Sequence, residues 1–415
     1  MGKRFHLLLA MLGAMATLGC VGCRRPAAPP PTPPGHSTAP APIRIGAFFS
    51  TTGNEAGFGI SSMNGLRLAI EEINAAGGVL GRPLEVVAED DQSQADRASF
   101  AVQKLINHDH VDVVLGEVSS TRSIAGGEIA QGARVPMLSP SSTNPKVTET
   151  KEYVFRACFI DPFQGYAMAT FAFAHLHART AAILTDKESD YSVGLARWFR
   201  ERFERLGGRV LDEQFYDADD TDFKTPLNTL VAQSPDVLFV PGDYGQVGVI
   251  VRQARQAGYD KPLLGGDGWD SPRLVEIGGK ALSNAYCSVH VDLHSSDPRV
   301  KHFVEGYRSR FGHAPDSLGA LAYDSVHLLA DAYARAGDTD KEKLRDALAT
   351  TEGFRGVTGV ITMTADRDPV KPAVVVKYVN GVSSCAATIE PEGTTPSPAS
   401  SAPPRGLSPS PHTAR

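Results

Sequence analysis

Residues 43–91, IRIGAFFSTTGNEAGFGISSMNGLRLAIEEINAAGGVLGRPLEVVAEDD, decide the fold. The stretch opens with a short β-branched and aromatic run, 43–49, that reads as a strand. Apolar residues then recur at helical spacing over 60–75, and 84–89 reads as a second strand. The alternation continues with a helix at 95–108, a strand at 111–115, a helix at 123–131 and a strand at 135–138. A second set follows: helices at 163–177, 193–206, 227–232 and 246–257, with strands at 180–184, 209–215 and 237–240. Strand-helix-strand units of about 30 residues imply parallel sheets with helices on both faces. Two such sets predict an α/β chain of two Rossmann-like, doubly wound lobes with a central cleft.

The 415 residues hold 41 Lys and Arg against 47 Asp and Glu, a net charge of −6. The basic excess that phosphate-backbone binding needs is missing, so no nucleic-acid partner is expected. Of the 29 prolines, eight precede residue 43 and seven follow Cys385, which places the fold between them.

The N-terminus reads as an export signal. Lys3 and Arg4 precede an apolar run over 5–18, too short to span as a stable membrane helix, and Leu18-Gly19-Cys20 follows. That junction resembles the bacterial lipobox, which makes Cys20 the expected lipidation site and the anchor to the membrane, with Cys23 as a second choice. Residues 1–20 are therefore expected as a lipoprotein signal peptide and 21–42 as a Pro-rich tether. Residues 386–415, rich in Pro, Ser and Thr, are expected as a disordered tail. Between these segments lie Cys158, Cys287 and Cys385. Cys158 and Cys287 can be a disulfide or two buried thiols, and spacing does not decide between them.

In doubly wound sheets ligands bind beyond the carboxyl ends of the strands. After 111–115 comes Gly116-Glu117-Val118-Ser119-Ser120-Thr121, and after 135–138 comes Ser139-Pro140-Ser141-Ser142-Thr143-Asn144. Free backbone N–H groups at a helix start, joined by hydroxyls, form a neutral cradle suited to a carboxylate, although Ser120 or Thr121 can equally cap its own helix. Leu263-Leu264-Gly265-Gly266-Asp267-Gly268 ends another strand with a carboxylate among glycines. If Asp267 faces the cradle, the site complements a zwitterion; otherwise Asp267 serves a local turn.

Taken in order, Ser50-x-x-Gly53, the run 65–81 with Ile73-Asn74-Ala75-Ala76-Gly77-Gly78 and Gly81-Arg82-Pro83-Leu84, Asp90-Asp91, and 252–258 resemble the leucine/isoleucine/valine-binding protein family. These are receptors of ABC importers with the type I periplasmic-binding fold. The resemblance implies two lobes joined by three crossings, near Ile160, His290 and Met363. It places lobe 1 at 43–160 plus 291–363 and lobe 2 at 161–290 plus 364–385. By position, Ser120 and Thr143 look like donors to a ligand carboxylate, and Ser141 and Thr143 like partners of its ammonium. Asp267 stands where the family's acidic residue pairs with that ammonium. Phe58, Tyr191 and Tyr244 fall where the family walls its pocket, or they pack the lobes. Glu117 can turn inward to meet a basic ligand.

The resemblance implies a monomeric extracytoplasmic lipoprotein that takes an amino acid, branched-chain or otherwise apolar, to an ABC permease and ATPase complex. The same scaffold can instead serve as a receptor or sensor for an amide, urea or carboxylic acid, or carry a hydrolase using Asp267. Neither a G-x-S-x-G elbow nor a phosphate loop occurs, and Gly57-Phe58-Gly59 lacks the third glycine of a dinucleotide turn, so no enzyme and no cofactor are expected. His175-x-His177 and His290-x-Asp292-x-His294 lack a full ligand set and are expected as solvent-exposed histidines rather than a metal site.

Overall fold

The computed structural model describes residues 40–379 and 381–392. The signal segment with Cys20, the tether up to residue 39 and the tail from residue 393 lie outside the described residues. Strand β1 (Ile43–Phe49), helix α1 (Ala56–Ala75), β2 (Leu84–Asp90), α2 (Ala95–Asn107), β3 (Val113–Leu115), α3 (Ser120–Ala133), β4 (Met137–Ser139) and β5 (Val154–Arg156) form the first unit. Its sheet runs β2-β1-β3-β4-β5 with every pair parallel. Helix α1 buries Leu66, Ala69, Ile70 and Ile73, the i, i+3, i+4, i+7 stripe that its sequence carries.

The chain then passes to a second sheet through α4 (Asp161–Thr170), β6 (Thr180–Asp186), α5 (Asp190–Arg205), β7 (Arg209–Tyr216), α6 (Lys224–Ala232), β8 (Val237–Phe239), α7 (Tyr244–Gln256), β9 (Leu263–Gly265), α8 (Pro272–Gly278) and β10 (Ala285–Val289). It returns to the first core with α9 (Pro298–Phe311), α10 (Ser317–Ala336), α11 (Lys341–Ala349) and the hairpin of β11 (Phe354–Gly356) and β12 (Gly359–Ile361). A last passage brings β13 (Ala373–Val379) and β14 (Val382–Ile389) to the edge of the second sheet, ordered β14-β13-β10-β9-β8-β6-β7.

Helices α1 and α10 approach closely: a Cβ on Gly65 would sit 1.9 Å from the carbonyl oxygen of Gly319. Only glycine fits at that position. Asp316 starts α10 by accepting a bond from the Gly319 N–H at 2.8 Å, and Gly337, at φ +64°, ends it.

Three expectations are corrected. The second sheet is not wholly parallel, because β13 arrives from the other lobe, pairs antiparallel with β10 and turns back on itself as β14. The helix expected over 163–177 starts two residues earlier, and its last stretch, Phe171–His175, widens into a π-turn. The segment expected as tail from residue 386 begins with strand, since β14 runs to Ile389 in register with β13. Cys158, Cys287 and Cys385 are free thiols. Burial pushes Cys158 up to about 12, which leaves it an unreactive thiol.

Candidate functional site

The order β2-β1-β3-β4 places a reversal of winding between β1 and β3, and β7-β6-β8-β9 repeats it between β6 and β8. Loops leaving such switch points diverge and open a crevice. Here the crevices of the two sheets meet. Ser119, Ser120, Ser141 and Thr143 line the shared cavity from the first sheet, and Tyr191, Asp243, Asp267 and Gly268 from the second. Phe58, Val118 and Leu318 supply its apolar wall. The space between them is about 20 Å³, room for about one water molecule.

The first sheet's side is built from hydroxyls. Ser119 caps α3 without a side-chain bond, so neither Ser120 nor Thr121 acts as its cap. Instead Ser120 Oγ accepts from the Asn144 N–H at 3.1 Å, tying the loop after β3 to the loop after β4. Thr121 Oγ1 accepts from the Asp190 N–H at 3.1 Å, a bond to the start of α5 in the second unit. Ser141 Oγ is buried and has no partner, a polar atom aimed into the cavity.

The second sheet's side is acidic. Asp267 is 4% exposed, and its two oxygens are fixed from different directions. Gln164 Nε2 donates to Oδ1 at 2.6 Å, and His290 Nε2 lies 2.9 Å from Oδ2. The ring of Phe159 stacks on the imidazole with centroids 4.0 Å apart. Burial, then Glu55, raises the Asp243 carboxyl well above its usual range. Tyr191 Oη accepts from the Gly268 N–H at 3.1 Å, which fixes the loop carrying Asp267.

Six of the seven expected residues therefore surround one cavity: Phe58, Ser120, Ser141, Thr143, Tyr191 and Asp267. Tyr244 does not line it. It stands behind Phe58, edge-on at 4.7 Å, and reaches across to the first unit. Its hydroxyl accepts from the Gly57 N–H at 3.0 Å and donates to the Asn54 carbonyl at 3.2 Å.

Glu117 does not face the cavity. Its Oε1 accepts from the Ser50 N–H at 3.0 Å, and Oε2 lies 3.2 Å from Arg122 Nε. Arg122 also pairs with Glu55 and approaches Asp91 at 3.6 Å. Burial opposes the Arg122 charge, but Glu117 and Glu55 outweigh it and hold its pKa well above the ordinary value. Burial and then Glu117 push Asp91 up to about 7. His290 is likewise not the exposed histidine expected from its spacing, since it is 2% exposed against Asp267. Among the described residues no group of three His, Cys, Asp or Glu side chains is placed to hold a metal ion.

Sequence reasoning missed Glu55, Asp243, His290 and Gln164. His290 immediately follows β10 and Asp243 lies just past β8, so the strand-end rule that found Asp267 reaches both. Gln164 lies inside a helix, where nothing local marks it.

Residues 42–382 match the periplasmic binding protein family. A leucine-, isoleucine-, valine-, threonine- and alanine-binding protein of Pseudomonas aeruginosa is 30% identical over 315 residues, 75% of this chain and 83% of that protein. The crystal structure of a leucine-binding protein from Thermotoga maritima superposes with a TM-score of 0.81 at 39% identity, covering 84% of this chain and 99% of that one. A branched-chain amino acid transporter substrate-binding protein from Streptococcus pneumoniae, solved with isoleucine, gives 0.79 at 35% identity, covering 84% and 99%.

Proposed function

The chain belongs to the periplasmic binding protein family, and from that premise we propose that it binds a branched-chain or other apolar amino acid between its lobes and hands it to an ABC importer. One observation carries the reading. Strand ends lined with the hydroxyls of Ser119, Ser120, Ser141 and Thr143 face the buried carboxylate of Asp267 across a cavity that Phe58, Val118 and Leu318 line with apolar surface, beside the carboxyl groups of Asp243 and of Glu55, the latter paired with Arg122. A carboxylate is suited to the first side and an ammonium to the second. Each carboxylate oxygen accepts more than one hydrogen bond, so Asp267 retains capacity beyond Gln164 and His290. Ser141 Oγ, without a partner, is a further polar contact for the ligand backbone.

Because the space between the lobes is far smaller than an amino acid, entry requires them to separate, and the ligand then favours reclosure by its contacts to both sides. Hydrogen bonds to charged groups contribute about 1.5–3 kcal/mol each. Three or four of them support micromolar or tighter binding after the cost of ordering. Phe58, Val118 and Leu318 select by solvation: each methylene well buried against them adds about 0.8 kcal/mol, whereas an acidic side chain would lie unpaired beside Glu55 and Asp243. Delivery to a permease, anchoring through Cys20 and a monomeric state belong to the same proposal, as does binding rather than catalysis.

A second reading draws on the Asp267–His290 contact. With its carboxylate already engaged by two donors, the site also suits a ligand without an ammonium, such as an aromatic or aliphatic carboxylic acid. Calorimetry with leucine, isoleucine, valine, aspartate, lysine and benzoate decides. Binding of the apolar amino acids above all others is expected; benzoate ranking first moves the protein to the second reading.

A further inference from the structure

We propose that a groove on the outer face of the second lobe is the docking site of this chain's own C-terminal segment, residues 393–415. The groove, of about 470 Å³, lies in the size range of ligand pockets and apart from the interlobe cavity. Phe163, Tyr166 and Trp198 form its aromatic side, and Val370, 51% exposed, forms part of the facing wall. Phe163 and Tyr166 stack with centroids 6.0 Å apart, and the Arg202 guanidinium lies 4.3 Å over the Tyr166 ring.

Two donors in this groove are buried without acceptors, Trp198 Nε1 and Arg202 Nε. A buried N–H beside flat aromatic rings wants a carbonyl oxygen presented by a chain that packs on those rings. A polyproline II segment has that chemistry: its backbone carbonyls are free, its proline rings pack on aromatics, and little entropy is lost in ordering it.

The chain itself supplies such a segment at the rim. Pro391 and Glu392 line the groove, and Glu392 Oε1 pairs with Arg202 Nη2 at 3.0 Å, so the segment starts there. It carries prolines at 396, 398, 403, 404, 409 and 411. At about 3.1 Å per residue, a polyproline II chain of the four to six residues that separate Glu392 from Pro396 and Pro398 would span about 12–19 Å. Tethering makes the local concentration of the segment high, which lets a weak contact be well occupied. The groove also takes in Ile160 and Thr364–Lys371 residues from two of the passages between lobes, so a docked segment bears on the hinge.

Trp198 reports on occupancy, because the second tryptophan, Trp269, is fully buried and its Nε1 is bonded to the Val240 carbonyl at 2.9 Å. Acrylamide quenching of the full chain is compared with a chain ending at Glu392 and with a full chain carrying Ser at the six tail prolines. Both changes should raise quenching severalfold, and a synthetic 393–415 peptide should restore protection to the shortened chain. Equal quenching in full and shortened chains overturns the proposal. So does protection that survives the proline substitutions, or that falls on dilution, which marks a second copy as the occupant.

Discussion

Asp267 Oδ2 and His290 Nε2 stand 2.9 Å apart, both side chains buried, with Phe159 stacked on the far side of the imidazole. Gln164 holds the other carboxylate oxygen at 2.6 Å. The carboxylate is thus held in place by its own neighbours, and under the proposed function an ammonium would meet it without reorganisation. Asp267→Asn keeps the shape and most of the hydrogen bonding while removing the charge. Losing a buried charge partner costs about 2–5 kcal/mol of binding, so isoleucine affinity should fall about 30-fold or more. Calorimetry alongside thermal melting checks this; a folded variant with unchanged affinity assigns Asp267 to turn structure alone. Asp267→Ala is less informative, because it also strands His290 and Gln164.

Glu117 has the opposite character. It bonds Ser50 and pairs with Arg122, and it points away from the cavity. Glu117→Gln should therefore lower stability by up to about 3 kcal/mol, the lower end of the cost of breaking a buried pair, since Glu55 still partners Arg122. The ranking of amino acids should not change. Urea denaturation reads the first expectation and competition binding the second. Arginine or lysine binding above leucine in the unmodified protein would bring Glu117 back as a ligand residue.

Tyr244 joins the two lobes through a single hydroxyl, taking a bond from Gly57 and giving one to Asn54. Those bonds exist only while the lobes are together. Tyr244→Phe removes both at about 0.5–1.5 kcal/mol each and leaves the ring against Phe58. The expected result is faster ligand release with little change in melting temperature of the unliganded protein. Stopped-flow dissociation measures it, and an unchanged release rate denies Tyr244 a part in closure.

Where the chain repeats strand and helix with apolar stripes, the fold was legible in the sequence, because burial on one or both faces imposes those periods. Ile43–Phe49 reads as a strand and is one, to the residue. What local pattern does not carry is pairing. The run Ala373–Val379 is rich in valine, yet its antiparallel place beside β10 depends on a chain reversal made one lobe away. The site divides similarly. Ser120, Ser141, Thr143 and Asp267 were legible because strand ends are marked places. That Asp267 meets Gln164, 103 residues earlier, and that Glu117 is consumed by Arg122, follow only from the folded geometry.

Stability should fall as pH rises from about 4 to about 8. Burial, above all, raises Asp161 from 3.8 to about 8, with the neighbouring Asp267 charge adding to it. Asp316 and Asp91 are raised to about 7, again chiefly by burial. In that window the folded protein keeps protons that the unfolded chain has already released, so the unfolded state binds fewer and each proton of difference costs about 1.4 kcal/mol per pH unit. Below about pH 4 both states are protonated and the effect vanishes. Lys371, lowered to about 8 by burial, acts in the opposite sense and only above that value, where the unfolded chain holds the proton longer. Urea denaturation at pH 5 and pH 8 separates these windows. The unmodified protein should be less stable at pH 8, and Asp161→Asn, which cannot ionise, should recover part of the loss there while changing little at pH 5. A variant that gains nothing at pH 8 would mean that Asp161 is ionised in the native state and that its burial is offset by the Arg156 and Arg197 charges nearby.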